Sequence, residues 1–253
     1  MKMHILSGGR LRMRKSIFLP VEDRTETIEL PVISVLLRHP GGNVLFDTGC
    51  HPALPGDADG RWGDLAKVVV PIMAPGEHVL AGLAALGLKA EDIDVVVNSH
   101  LHPDHCGCNA YFTKATFIAH EKELAAARAD GAEAAGFLKC EWDNPMGFEP
   151  IAGEKDLMSD GRIVLLPLPG HTPGSISALV GLDRSGTFLL ASDTVSLREC
   201  FDREILPRNT WNKDILTASY AEIRRIEADG ATIVCGHDAA QWETLKVGAE
   251  AYD

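Results

Sequence analysis

The chain has 253 residues, 45% of them apolar and 24% charged, with 24 glycines and 14 prolines. These are globular proportions, which exclude a disordered, collagen-like or coiled-coil chain, and the length supports a sizeable core without disulfide staples. Lys and Arg number 24 against 36 Asp and Glu, a net charge of −12, so phosphate backbones and anionic lipid surfaces are repelled.

The densest basic stretch is Arg10, Arg12, Arg14 and Lys15, and apolar residues break it. Neither nucleic acid nor membrane is therefore expected as a partner. The first ten residues lack the apolar stretch of a signal peptide, and no run approaches the roughly 20 apolar residues of a membrane span. Cys50, Cys106, Cys108, Cys140, Cys200 and Cys235 are scattered, which reads as reduced thiols and a cytoplasmic protein.

In chain order, Leu30 to Leu37 and Val44 to Asp47 read as strands joined by a turn at Pro40-Gly41-Gly42-Asn43. Val79, Leu80, Leu83 and Leu86 recur at helical spacing, with Gly87 as the C-terminal cap. Asp94 to Asn98 is a short buried strand, and Thr116 to Ala119 is another, followed by a helix from Glu121 to about Asp130. Further strands fit Arg162 to Leu166, Ser175 to Val180, Thr187 to Ala191 and Thr232 to Cys235. A helix fits Asp214 to Ala228, capped by Asn212, with Leu216, Tyr220, Ile223 and Ile226 on one face. Pro52 to Glu77 and Lys139 to Asp160 fit neither period and read as long loops. No repeat or linker divides the chain, so residues 1–253 are expected to form a single domain of mixed sheets covered by helices.

The decisive segment is Ser99-His100-Leu101-His102-Pro103-Asp104-His105, directly after the Val95-Val96-Val97 strand. His100 and His102 can point the same way because extended side chains alternate with period two, while Asp104 and His105 start a new direction. Imidazole and carboxylate suit zinc, and also iron, manganese or cobalt. Three more candidate ligands each follow a strand: His171 in Pro169-Gly170-His171-Thr172-Pro173-Gly174, Asp193 after Leu189-Leu190-Ala191-Ser192, and His237 after Val234-Cys235-Gly236. A shared sheet edge would gather them.

This ordered set resembles the metallo-β-lactamase superfamily, from about Leu30 to His237, including Asp47-Thr48-Gly49 after an early strand. The resemblance implies a four-layer αβ/βα sandwich of two mixed sheets with outer helices. It also implies two Zn²⁺ ions, one held by His100, His102 and His171, the other by Asp104, His105 and His237, with Asp193 bridging both. Asp47 and Asn98 are candidates to orient metal-bound histidines.

Within the superfamily the chain looks most like the N-acyl-homoserine lactonase group. That likeness rests on Leu30-Pro31-Val32, on Asp104 to Asn109, and on the long segment after Asp47. It implies a small ester or lactone as substrate, and an apolar lid over the acyl group formed from Trp62, Val68, Val69, Val70, Ile72 and Met73, residues that serve equally as core. The group's tyrosine, three residues after the bridging aspartate, is Ser196 here, so acyl-homoserine lactones are expected to turn over poorly or to give way to another lactone.

Two adjacent cations would lower the pKa of a shared water toward neutrality, giving a hydroxide that attacks the ester, with Asp104 or Asp193 passing the proton. Thioester hydrolases resembling glyoxalase II, phosphodiesterases, and iron-dependent persulfide dioxygenases share the motif and are the alternatives. His4, His39, His51, His78 and His120 lack ligand spacing and read as surface or capping residues.

Overall fold

The structure, a computed structural model, describes every residue except Asn144 and Met146. The first strand, β1 (Lys2–Arg14), pairs antiparallel along its length with β2 (Thr27–His39), which pairs antiparallel with β3 (Gly42–Phe46). From β3 the sheet continues in parallel through β5 (Val95–Val97), β6 (Thr116–His120) and β7 (Glu149–Ile151), and the two-residue β4 (Val70–Pro71) closes its other edge. A second sheet runs in the order β12-β11-β10-β9-β8, from Thr232–Cys235, Gly186–Ser192, Ile176–Leu182, Ile163–Pro167 and Lys155–Asp156 respectively. Its β11–β12 pair is parallel and the others are antiparallel.

The two sheets pack face to face. Ile5, Val35 and Phe46 from the first meet Leu165, Ala178, Val180 and Leu190 from the second in one buried cluster. Helix α2 (Val79–Ala85) covers the outer face of the first sheet, with Val79 and Leu83 against Leu36, Leu45 and Val96. Beyond the short α6 (Arg198–Asp202), the long helix α7 (Lys213–Ala228) covers the outer face of the second, with Leu216, Tyr220 and Ile223 against Leu189, Ala191 and Ile233. Helix, sheet, sheet, helix is the four-layer αβ/βα sandwich expected from the sequence.

The strand from Lys2 to Arg14 was not legible by periodicity. Met3, His4, Ile5 and Leu6 are all buried, so neither face is marked, and Gly8-Gly9 reads as a break. The break is a bulge between Ser7 and Gly9. It lets Gly8 lie against Gly49, where a methyl on Gly49 would sit 2.5 Å from the Gly8 Cα, and so seats the Asp47-Thr48-Gly49 turn under the sheet.

The two segments expected to be loops hold short helices, α1 (Leu54–Trp62) and α5 (Lys139–Trp142). They are joined by buried Glu141, which accepts two hydrogen bonds from Arg61 and one from the Trp62 indole. All six cysteines are free thiols, five of them buried. Among the described residues, no helix is long and apolar enough to cross a membrane.

A histidine and carboxylate cluster at the sheet edge

Every candidate ligand sits just past the end of a strand or at the start of the turn that follows it. β5 ends at Val97, the chain bends through Asn98 and Ser99, and His102 leads into the single-turn helix α3 (Pro103–Cys106). Pro103 at its first position suits a helix start, where no N–H is required. That turn places Asp104 and His105 beside the imidazoles of His100 and His102. β9 leads to His171, β11 to Asp193, and β12 to His237.

The donor atoms converge. His100, His102 and His171 form one group in which each residue offers an atom within 4.8 Å of the others; Asp104, His105 and His237 form a second, and His100, His105 and Asp193 a third. Asp193 lies between the first two. Its Oδ1 is 2.9 Å from His237 Nε2 and 3.4 Å from His105 Nε2, while its Oδ2 is 3.4 Å from His171 Nε2. Asp104 Oδ2 faces His105 and His237 at 3.5 and 3.6 Å.

The outward nitrogens are anchored. His105 Nδ1 is 2.9 Å from Asp47 Oδ2, His237 Nδ1 is 2.9 Å from the Pro31 carbonyl, His100 Nδ1 is 3.0 Å from Ser99 Oγ, and His102 Nε2 is 3.0 Å from the Ala135 carbonyl. Each contact selects the nitrogen that remains for the centre.

These residues fit a divalent cation. His100 Nε2 is buried and has no hydrogen-bond partner, while Asp193 Oδ1 and His105 Nε2 are buried and meet only other members of the cluster, an arrangement that is costly unless something electropositive lies among them. Electrostatics agree. Burial and the neighbouring imidazoles hold His100 well below its usual value, and burial brings His171 down to about 3, so both are neutral donors. Burial would raise Asp104, yet His105 and His237 pull it to about 2. Burial would lower His105 and His237, and the carboxylates of Asp104 and Asp193 raise both instead. Protons shared by these carboxylate–imidazole pairs are what a bound cation replaces.

Asp47 adopts φ +60, a left-handed conformation uncommon outside glycine, and its carboxylate accepts from Ser99 N at 2.7 Å and Ser99 Oγ at 2.7 Å as well as facing His105. It orients His105, as expected. Asn98 does not orient an imidazole. Its amide donates to the His105 backbone carbonyl at 3.3 Å and pairs with Asn109, so it holds the turn rather than a ring. Two serines escaped sequence reasoning: Ser192, itself at φ +47, lies 2.8 Å from Ser99 Oγ, and the pair fills the space between Asp47 and both ligand segments. Only their adjacency to Asp193 and His100 hinted at this.

The cluster floors a cleft of about 620 Å³. His102, Asp104, His171, Asp193 and His237 line its base, and Met13, Phe18, Leu65, Val69, Phe137 and Trp211 its apolar walls. Of the expected lid, Val69 reaches the cleft, whereas Trp62 and Met73 are buried in the core beside Leu11 and Val32. Val68 is exposed. Ser196 is 1% exposed and does not line the cleft; its hydroxyl turns back toward the Asp193 carbonyl at 3.4 Å. His78 and His120 cap helices, as expected, but His4 is buried, with Nδ1 against the Gly248 carbonyl, and is not a surface residue.

A four-layer sandwich with a His/Asp centre at one edge of its sheets defines a class of metal-dependent proteins, and residues 27–237 match the model of the metallo-beta-lactamase superfamily. The chain belongs to that superfamily. An N-acyl homoserine lactonase, AttM, from Azorhizobium caulinodans is 29% identical over 259 residues, covering 100% of this chain and 98% of its own. An N-acyl homoserine lactonase from a Bacillus species is 28% identical, covering 98% of each chain. A solved N-acyl homoserine lactone hydrolase, with the product N-hexanoyl-L-homoserine at its catalytic metal centre, superposes with a TM-score of 0.86 at 24% identity, over 99% of this chain and 98% of the other.

Proposed function

We propose that the protein is a dinuclear zinc hydrolase that opens lactone rings, acting on N-acyl homoserine lactones or closely related cyclic esters, with the whole chain as one catalytic domain. The observation that carries this reading is the position of Asp193, whose two oxygens face the His171 side and the His105–His237 side of one cluster at the floor of an apolar cleft. Seven converging side chains are too many for one tetrahedral ion. His100, His102 and His171 would hold one metal and Asp104, His105 and His237 the other. Metals held there would supply a nucleophilic hydroxide at neutral pH and Lewis-acid polarisation of the ester carbonyl.

The remaining chemistry belongs to the chain. Met13, Phe18, Leu65 and Val69 offer an acyl chain an apolar wall, which withdraws it from water and leaves the polar ring at the base. Asp104 lines the cleft beside His105 and His237, and its carboxylate is placed to carry a proton to the departing ring oxygen. The names of the relatives support the substrate class, and the acidic surface suits a small neutral substrate better than a polyanion.

The test is metal content together with steady-state kinetics on lactone, thioester and phosphodiester panels. Two metals per chain and kcat/KM higher on lactones than on thioesters or phosphodiesters are expected. A single tightly bound iron, or preference for a thioester, would overturn the assignment.

A further inference from the structure

Helix α4 (Glu121–Ala127) carries in its first turn a carboxylate with no solvent exposure, Glu123. Its Oε1 accepts a hydrogen bond from Leu101 N at 3.0 Å and its Oε2 one from Gly174 N at 2.9 Å. The neighbouring Thr172 hydroxyl also favours the charged carboxylate. Burial lifts the Glu123 carboxyl to about 7, against the pull of these donors.

The two backbone donors come from different ligand segments. Leu101 lies between His100 and His102, and Gly174 lies three residues beyond His171. Gly174 is fitted to this contact, since a methyl there would meet the Glu123 backbone nitrogen at 2.4 Å and its Cβ at 2.6 Å. The second glycine of the Pro169-to-Gly174 motif thus lets its loop approach α4 closely enough for one side chain to hold both segments.

Fold stability does not call for a carboxylate here. A buried carboxylate held only by N–H and O–H dipoles carries a desolvation penalty that a neutral residue of the same size avoids. Above a pH of about 7 ionised Glu offers two equivalent acceptor oxygens, and glutamine would turn an NH₂ toward one of the N–H groups.

We propose that Glu123 is a positioning residue that fixes His100 and His102 relative to His171 and so sets the metal affinity of the three-histidine group. It touches neither metal nor substrate. This inference rests on the metal assignment above, but its readout is metal binding rather than turnover.

The experiment is Zn²⁺ and Co²⁺ titration against a competing chelator, for the wild type, Glu123→Gln and Gly174→Ala, with thermal unfolding of the metal-free proteins alongside. Loss of an outer support of metal ligands typically weakens binding about 10–100-fold. Both variants should therefore retain one ion at wild-type affinity and bind the other at least about tenfold more weakly, with the metal-free melting temperature of Glu123→Gln near that of the wild type. The His237→Ala background isolates the three-histidine group, and Glu123→Gln in that background should weaken its remaining ion. Unchanged affinities in Glu123→Gln, or equal weakening of both ions with a lowered metal-free melting temperature, would overturn the proposal. A wild type that binds one ion only would sink the dinuclear reading instead. Glu123 would then be judged on that ion, a tenfold loss supporting the proposal and an unchanged affinity overturning it.

Discussion

Asp193 and His120 are both buried polar groups at strand ends, yet their surroundings differ. Asp193 faces three imidazoles across its two oxygens, whereas His120 caps α4 by accepting from Lys122 N at 3.1 Å. Asp193→Ala should therefore lower kcat at least about 10²-fold while the chain stays folded by circular dichroism, comparable to losing a preorganised catalytic group. His120→Ala should retain activity and lose about 1 kcal/mol of stability, the usual magnitude for a cap. Equal activity losses in the two variants would show that the ligand assignment is wrong. Ser196 is a sharper case. Its buried hydroxyl does not line the cleft, so Ser196→Ala should change turnover less than about tenfold, against the roughly 10²–10³ lost with a true oxyanion donor. Kinetics on several lactones check this, and a collapse of turnover would place the hydroxyl on the substrate.

At the scale of elements, legibility followed local chemistry. The strand Thr232–Cys235 and the helix Lys213–Ala228 stand within a residue of their expected bounds, the strand as a short apolar run bounded by glycines and the helix by its clear period and cap. Asn212 accepts from Ile215 N at 3.1 Å, the cap its position announced. Its own backbone N–H also donates to the Gly170 carbonyl, which ties the start of α7 to the loop carrying His171. Asn212→Ala keeps that backbone bond and removes only the cap. It should cost about 1 kcal/mol and roughly 2–4 °C of melting temperature in a chain of this size, with metal content unchanged, as calorimetry and elemental analysis would show. The seven candidate ligands were legible because each follows an apolar strand. Glu123 was not. It sits on an Ala- and Glu-rich helix where a glutamate reads as solvated surface, and its partners are backbone groups 22 and 51 residues away in sequence. β1 was hidden for the opposite reason, since burial on both faces erases alternation.

For the whole molecule, the histidine and carboxylate cluster joins the C-terminal ends of strands from both sheets, so a metal bound there would couple to folding. His100, His102 and His105 come from the first sheet, and His171, Asp193 and His237 from the second. A cation that binds only the assembled cluster stabilises the fold by about 4 kcal/mol at a thousand times its Kd, which is roughly 8–16 °C for a chain of this length. The increment should depend on pH with a definite sign. His105 and His237 have raised folded values, because Asp104 and Asp193 hold their protons against the effect of burial. Their contribution to the metal-free fold is complete below the unfolded histidine pKa of about 6.5 and is lost as pH rises through the folded values. The metal must also displace those protons, so its apparent affinity falls as pH drops. Both effects act in one direction, and the melting-temperature gain on metal loading should be larger at pH 8.5 than at pH 6. Calorimetry of chelator-treated and zinc-loaded protein at the two pH values measures it directly. An equal gain at both would show that His105 and His237 do not exchange protons for metal, and would remove them from the centre.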